Sequence, residues 1–414
     1  MNFPILSLIL LAPVVGLLII LLIPEREQLL IKIVAAISTG IGLILALVAY
    51  VTYDKAAGGL QFLEDIPWIN SFGIHYSTGV DGMSLPLVLL TAIVIFTGVF
   101  ASWDMHDRIK EFFIFLLMLV TGVFGVFISR DLFFFYFFFE VAVIPMYILI
   151  GVWGSTRKEY AAMKLTLYLL VGSALALIGI IALYLYAGQQ LGRYTFDIQT
   201  LGQVKFPVAF QKWVSFLIIF GFGVLVPIWP FHLWSPDGHV AAPTAVSMLH
   251  AGVLMKLGAY GLIRVGAFLL PEGINYWAPL IAVLCVVNVV YGAMIAMMQK
   301  DLKFVVGYSS VSHMGYVLLG VATFNTLSIS GAVTQMFAHG IMTALFFALV
   351  GNIYHKAHTR EIAQFGGLAH QMPRVAAGFM IAGLASLGLP GLQNFVAEFL
   401  IFTGSFTKEQ VLFG

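Results

Sequence analysis

Seven ionisable side chains stand inside long apolar runs of this 414-residue sequence: Glu140, Lys164, His250, Lys256, His313, His339 and Glu398. Carboxylates, amines and imidazoles share one chemistry, the gain and loss of a proton. Removal from water disfavours the ionised form of an acid and of a lysine alike, which brings proton exchange toward neutral pH. A lone charge at mid-membrane costs roughly 2.5–3.5 kcal/mol. Such groups therefore face the interior of a helical bundle, paired with one another or with water, and as a set they have the residue types of a proton wire. Each also has a plainer reading. Glu140 follows seven consecutive aromatic residues in RDLFFFYFFFEVAVIPMYILIGVW and could be half of an ion pair that only holds helices together. Lys164 and Lys256 have stems long enough to snorkel toward a headgroup. His250, His313 and His339 could be hydrogen-bonded core histidines.

The elements that position these groups follow from composition. With 61% hydrophobic and 9% charged residues, the chain has too little polar surface for a soluble domain. A helix crossing a hydrocarbon core of about 30 Å needs about 20 mostly apolar residues. Twelve such stretches occur, near 3–23, 29–53, 80–103, 112–128, 132–153, 161–187, 213–234, 243–271, 277–299, 302–324, 327–354 and 375–403. The expected fold class is an all-α polytopic membrane bundle. Barrel strands are shorter and alternate in polarity. The first stretch lacks a small-residue cleavage pattern and is expected to stay as a helix.

Basic residues favour the cytoplasmic side. With the N-terminus outside, Arg26, Lys32, Arg108, Lys110, Arg157, Lys158, Lys300, Lys303, Lys356, Arg360 and Arg374 fall inside, against Lys55, Arg130, Arg193, Lys205, Lys212, Arg264 and Lys408 outside. The longer loops, Asp54 to Gly79 and Gly188 to Lys212, are assigned to the outer face. A net charge of +1 argues against a nucleic-acid surface, and a single cysteine, Cys285, gives no cluster for zinc or iron and sulfur. No metal site is expected.

Two stretches carry helix breakers. The seventh reads GFGVLVPIWPFHLWSPDGHVAAP, where Pro227, Pro230 and Pro236 each remove a backbone donor, and the twelfth reads ASLGLPGLQNFVAEFLIF, with Gly388, Pro390 and Gly391. Broken helices at membrane depth are tolerated only where protein or a water-filled cavity surrounds them, and paired interruptions point to a transporter of inverted repeats. The expected organisation is a three-helix segment over 1–110, a first repeat over 111–275 (helices 4–8, broken near 225–236), and a second, incomplete repeat over 276–414 (helices 9–12, broken near 386–394). Two unrelated proline kinks are the alternative.

GVDGMSL, FFFEVAVIPMY, PFHLWSPDGHVAAPTAVSM, AGVLMKLGAYGLIR, YSSVSHMGYVLLG, QMFAHGIMTALFF and LPGLQNFVAEF together resemble the antiporter-like membrane subunits of respiratory complex I, in particular the M chain, NADH:quinone oxidoreductase chain 4. The likeness covers nearly the whole chain, and Glu398 favours the M type over the sister L and N chains, which usually carry lysine there. The resemblance implies that Glu140 couples to charges in a neighbouring subunit, that Lys256 is a bridging lysine, that His313 and His339 form a central relay, and that Glu398 connects to the outer side. It implies a proton-translocating subunit of a redox enzyme with no cofactor on this chain. NADH, FMN, iron–sulfur clusters and quinone belong to partner subunits, L-like and N-like membrane chains stand beside it, and the setting is an energy-transducing membrane, the bacterial inner membrane.

Two departures accompany the likeness. The family usually has a lysine where this sequence has Leu225, so the relay needs compensation, for which His250 and Lys256 are the candidates, with His232 nearby. The family commonly has fourteen helices and this chain holds twelve, as expected of a fragment or of a module completed by another chain. Other functions stay open: a subunit of a multi-chain cation/proton antiporter or membrane-bound hydrogenase, a mainly structural M-like subunit, or a haem-bearing electron carrier ligated by intramembrane histidines.

Overall fold

The computed structural model describes residues 3–407. Lys408, counted above on the outer side, lies outside them. The apolar runs form α1 (Ile5–Leu22), α2 (Gln28–Thr52), α3 (Ser84–Ala101), α4 (Ile109–Ile128), α5 (Leu132–Trp153) and α6 (Lys158–Leu191). A short α7 (Ile198–Leu201) precedes α8 (Val208–Leu225), α9 (Trp234–Ala241), α10 (Thr244–Leu249) and α11 (Met255–Gly261). The chain continues with α12 (Pro271–Met298), α13 (Leu302–Thr323), α14 (Thr326–Ala357), a short α15 (Leu368–Gln371), α16 (Pro373–Ser386) and α17 (Gln393–Thr407). Among the described residues eleven helical spans are long and apolar enough to cross a bilayer. The twelfth expected crossing is instead two pieces of 14 and 15 residues. At 1.5 Å per residue neither piece reaches 30 Å, so only the pair together spans that depth.

Both interruptions fall among the breakers. α8 stops at Leu225, Pro227 and Pro230 occupy the irregular stretch, and the helix resumes at Trp234. Pro236 differs from expectation. It lies in the first turn of α9, where its missing N–H leaves no helical hydrogen bond unmade. The seventh span accordingly sits earlier than 213–234. The polar groups freed at the break are taken by one side chain of α12: Asn288 accepts from Trp229 N–H (2.6 Å) and donates to the Pro227 carbonyl (2.9 Å). In the second break Gly388 and Gly391 adopt positive φ of 63° and 101°, and Pro390 lies between them. A Cβ on Gly388 would also lie 2.7 Å from Glu398 Oε2, so that carboxylate would have to shift to admit one.

An all-helical fold omits one feature. Gln61–Ile69 (β1) and Ile74–Val80 (β2) form an antiparallel hairpin in what reads as a loop. It is tied down by Glu64, which accepts from Ser7 Oγ at 2.5 Å, and by the Phe72 carbonyl, which accepts from Tyr184. Loop contacts sort the connections to two ends. Lys110 donates to the Leu21 carbonyl, Trp153 to Asp107, and Arg360 to Val240, which gathers the loops after odd-numbered spans at one end. At the other end Arg264 pairs with Asp81 (2.5 Å) beside the hairpin. Of the cations assigned to inner loops, Lys32 and Lys303 are instead buried within α2 and α13.

Candidate functional site

The span Thr244–Ala267 is buried along nearly its whole length, and its helix widens into π turns at His250–Leu254 and Leu262–Ala267. Such widenings recur at functional sites because they re-aim side chains within a helix. Lys256 stands between the two. Its ammonium donates to the Ala251 carbonyl inside the π turn, and its Nζ lies 2.8 Å from Nδ1 of His339 on α14. Gly252 and Gly340 make this contact possible. A Cβ on Gly340 would meet the Gly252 carbonyl at 2.6 Å, so only two glycines let the backbones approach this closely one residue from His339.

From His339 the line continues to His313 of α13, with ring centroids 5.4 Å apart. Nδ1 of His313 is 2.8 Å from the Ser309 carbonyl, and Nε2 is 3.2 Å from the carbonyl of Ser386, the last residue of α16. A proton on either ring nitrogen thus finds an acceptor. Tyr316, one turn along α13 with its ring 6.2 Å from His313, is close enough to Glu398 to feel its charge. Gln335, fully buried, faces the same carboxylate, whose Oε1 is buried without a protein partner.

On the other side of Lys256, the His250 ring lies tilted against His239 of α9 at 4.1 Å between centroids and against Trp234 at 5.3 Å. All four nitrogens of this imidazole pair are buried and unpartnered by protein, the condition ordered water satisfies inside a protein. The structure therefore brings His250, Lys256, His313 and His339 together and places Glu398 beyond them, at the second break. Lys164 is elsewhere. It pairs with Asp237 of α9 (2.7 Å) beside Tyr308 and His232. Glu140 lies on α5 beside Tyr136, with Oε1 unpartnered, and forms no salt bridge among the described residues. Leu225 is buried at the end of α8 against Gly258, so the break presents no cation at that position.

His239, Asp237, Tyr316 and Lys303 were not singled out by sequence reasoning. PDGH lies between breakers and reads as a turn, and QKDLK reads as a loop, although an aspartate and a histidine three and five residues past the expected end of the broken stretch at 234 were a usable signal. The haem reading does not fit. His313 aims both nitrogens at carbonyls and His339 turns Nδ1 to Lys256, so the two rings do not face one another as axial ligands would. Among the described residues no three His, Cys, Asp or Glu are grouped to hold a metal ion.

A multi-pass helical bundle with two interrupted helices and a line of buried bases between them defines a membrane ion-carrying module. The chain belongs to the NADH:quinone oxidoreductase/Mrp antiporter transmembrane family, which matches residues 129–413. It is 40% identical over 407 residues to NAD(P)H-quinone oxidoreductase chain 4 2 of Microcystis aeruginosa, covering 97% of this chain and 72% of that one. It is 41% identical over 388 residues to NADH-quinone oxidoreductase subunit M of Rhodobacter capsulatus, covering 91% and 74%. The fold superposes on a chain of respiratory complex I from Thermus thermophilus with a TM-score of 0.89 and 29% identity, over 98% of this chain and 84% of that one. The expected likeness to the M chain is thereby met.

Proposed function

We propose that the chain is the M-type membrane subunit of an NADH:quinone oxidoreductase and carries protons through its buried relay, driven by redox chemistry on partner subunits. The observation that carries this reading is the Lys256–His339 hydrogen bond: two buried bases lie 2.8 Å apart, and the span that carries Lys256 offers no carboxylate counter-ion. A proton held there moves when the surrounding potential changes. Glu140, partly buried and without an ion pair, is the group on which a charge from a neighbouring subunit acts. Protons then pass from Lys256 to His339 and His313, and by way of Tyr316 and water to Glu398. NADH, FMN, iron–sulfur clusters and quinone are assigned to the partners, L-like and N-like chains among them. The membrane is the bacterial inner membrane with the N-terminus outside, and residues 111–275 and 276–414 belong to two inverted repeats.

Glu140→Gln in the intact complex, in sealed vesicles, is expected to leave assembly and quinone reduction intact and to lower the protons moved per electron pair. An unchanged ratio sinks the coupling role. The family also includes Mrp antiporter subunits, so a complex purified without NADH:quinone activity but with cation/proton exchange supports the antiporter reading instead.

A further inference from the structure

The relay needs an entrance from the end of the molecule that gathers Asp301, Arg360 and Ser155, and the half-helix α9 ends there. Its terminal carbonyls, which a helix leaves without intrahelical donors, are taken from outside. Arg360 Nη1 donates to Val240 (3.2 Å) and Ser155 N–H to Ala241 (2.7 Å). Lys303 Nζ donates to Ala242 (2.6 Å), with Ser247 Oγ at 3.3 Å. Lys303 is 5% exposed, so a buried ammonium rests on neutral oxygens alone. The charged groups facing it are Arg360 and Asp301 toward the surface and His239 inward. Arg360 and Asp301 pair with each other at 3.1 Å, with side chains 11% and 24% exposed. Ser247, which contacts Lys303, donates in turn to the His239 carbonyl at 2.8 Å.

We propose that Lys303 is the gate through which protons enter the relay, taking one from the aqueous end beside Asp301 and Arg360 and handing one to the adjoining His239–His250 pair. The inference rests on the proton-carrying reading above and extends it by an entrance. Its geometry is suited to the step: cationic Lys303 closes α9 onto α13, and a neutral amine has fewer protons to hold the same carbonyls. Each turnover breaks one N–H bond on Lys303 and forms one on an imidazole, and a proton from water restores the ammonium; no oxidant or reductant takes part. His250 then stands between the entrance and Lys256, a place a simple core histidine with two unpartnered nitrogens has no reason to occupy.

A purely structural cap and a gate differ in one respect, since a cap needs only charge whereas a gate must titrate. Lys303→Arg keeps a cation on the carbonyls that does not release its proton. In the intact complex in sealed vesicles it is expected to lower protons moved per electron pair by as much as Glu140→Gln, with quinone reduction retained. Lys303→Cys is expected to show the same loss. A 2-aminoethyl thiosulfonate, which attaches a titratable amine, restores the ratio, while the trimethylammonium reagent, which attaches a fixed charge, does not; reagent-treated native complex is the control. Full pumping by Lys303→Arg, restoration by both reagents, or restoration by neither overturns the gate. If Glu140→Gln lowers the ratio and Lys303→Arg does not, the proton-carrying reading stands and only the entrance falls; if neither lowers it, the reading itself fails.

Discussion

Asp131 joins two elements through one carboxylate. Its Oδ1 accepts from the backbone N–H groups of Phe133 and Phe134, capping the helix that carries Glu140, and its Oδ2 accepts from His75 N–H in the hairpin. It is 1% exposed, and burial, reinforced by nearby Asp197, outweighs those hydrogen bonds and raises its pKa from 3.8 to about 6. A carboxyl with a raised folded-state pKa binds its proton more tightly folded than unfolded, so its contribution is fully present below pH 3.8 and is lost as pH rises through about 6. The opening free energy of this junction is expected to be larger at pH 5 than at pH 7 by about 1 kcal/mol. Amide hydrogen exchange at His75, Phe133 and Phe134, corrected for intrinsic rates, measures it. Equal opening free energies at the two pH values would refute it, and Asp131→Asn is expected to abolish the slope. Single residues were legible in the sequence where isolation made them conspicuous. Lys256, His313 and His339 stand out because a charge or imidazole inside an apolar run demands a partner. Asp131, Asp237 and Lys303 adjoin turns and loops, where polar residues need no explanation, and only tertiary packing buries or pairs them.

Elements show the same division. Run length predicts the spans because a bilayer fixes the apolar length a helix needs, and the breakers locate both interruptions. The hairpin escaped because the alternation of its first strand is masked by Glu64, Asp65 and Pro67. The π turns at 250–254 and 262–267 escaped because apolar periodicity does not distinguish one extra residue per turn. Sequence also gave no hint of what satisfies the first break. Asn288 serves both a freed N–H and a freed carbonyl, and it is completely buried. Asn288→Ala leaves both unpaired in an apolar setting, at about 1–3 kcal/mol each. The expected outcome is a clear drop in the melting temperature of the complex, with none for Val290→Ala on the 53%-exposed face of the same helix. Equal melting of the two variants would show that Asn288 does not hold the break.

At the scale of the whole molecule the question is whether a relay without a cation at Leu225 still carries protons. Leu225 is buried and packs on Gly258 of α11, while His239 and His250 lie 4.1 Å apart between ring centroids, and in the proposed relay that pair is the route around the missing cation. Leu225→Lys therefore puts a second buried ammonium on the helix that packs against Gly258, two residues along the chain from Lys256, and like charges in a poorly solvated interior oppose one another's ionisation. If the relay runs through the imidazole pair, the native complex in sealed vesicles moves its full complement of protons per electron pair and the variant moves no more. A native complex deficient by one module's share, with Leu225→Lys making up the difference, would instead mean that the chain as it stands is mainly a structural member of its assembly. In that event the adjoining imidazoles do not compensate for Leu225, and His250→Leu would leave the ratio as low as it already is.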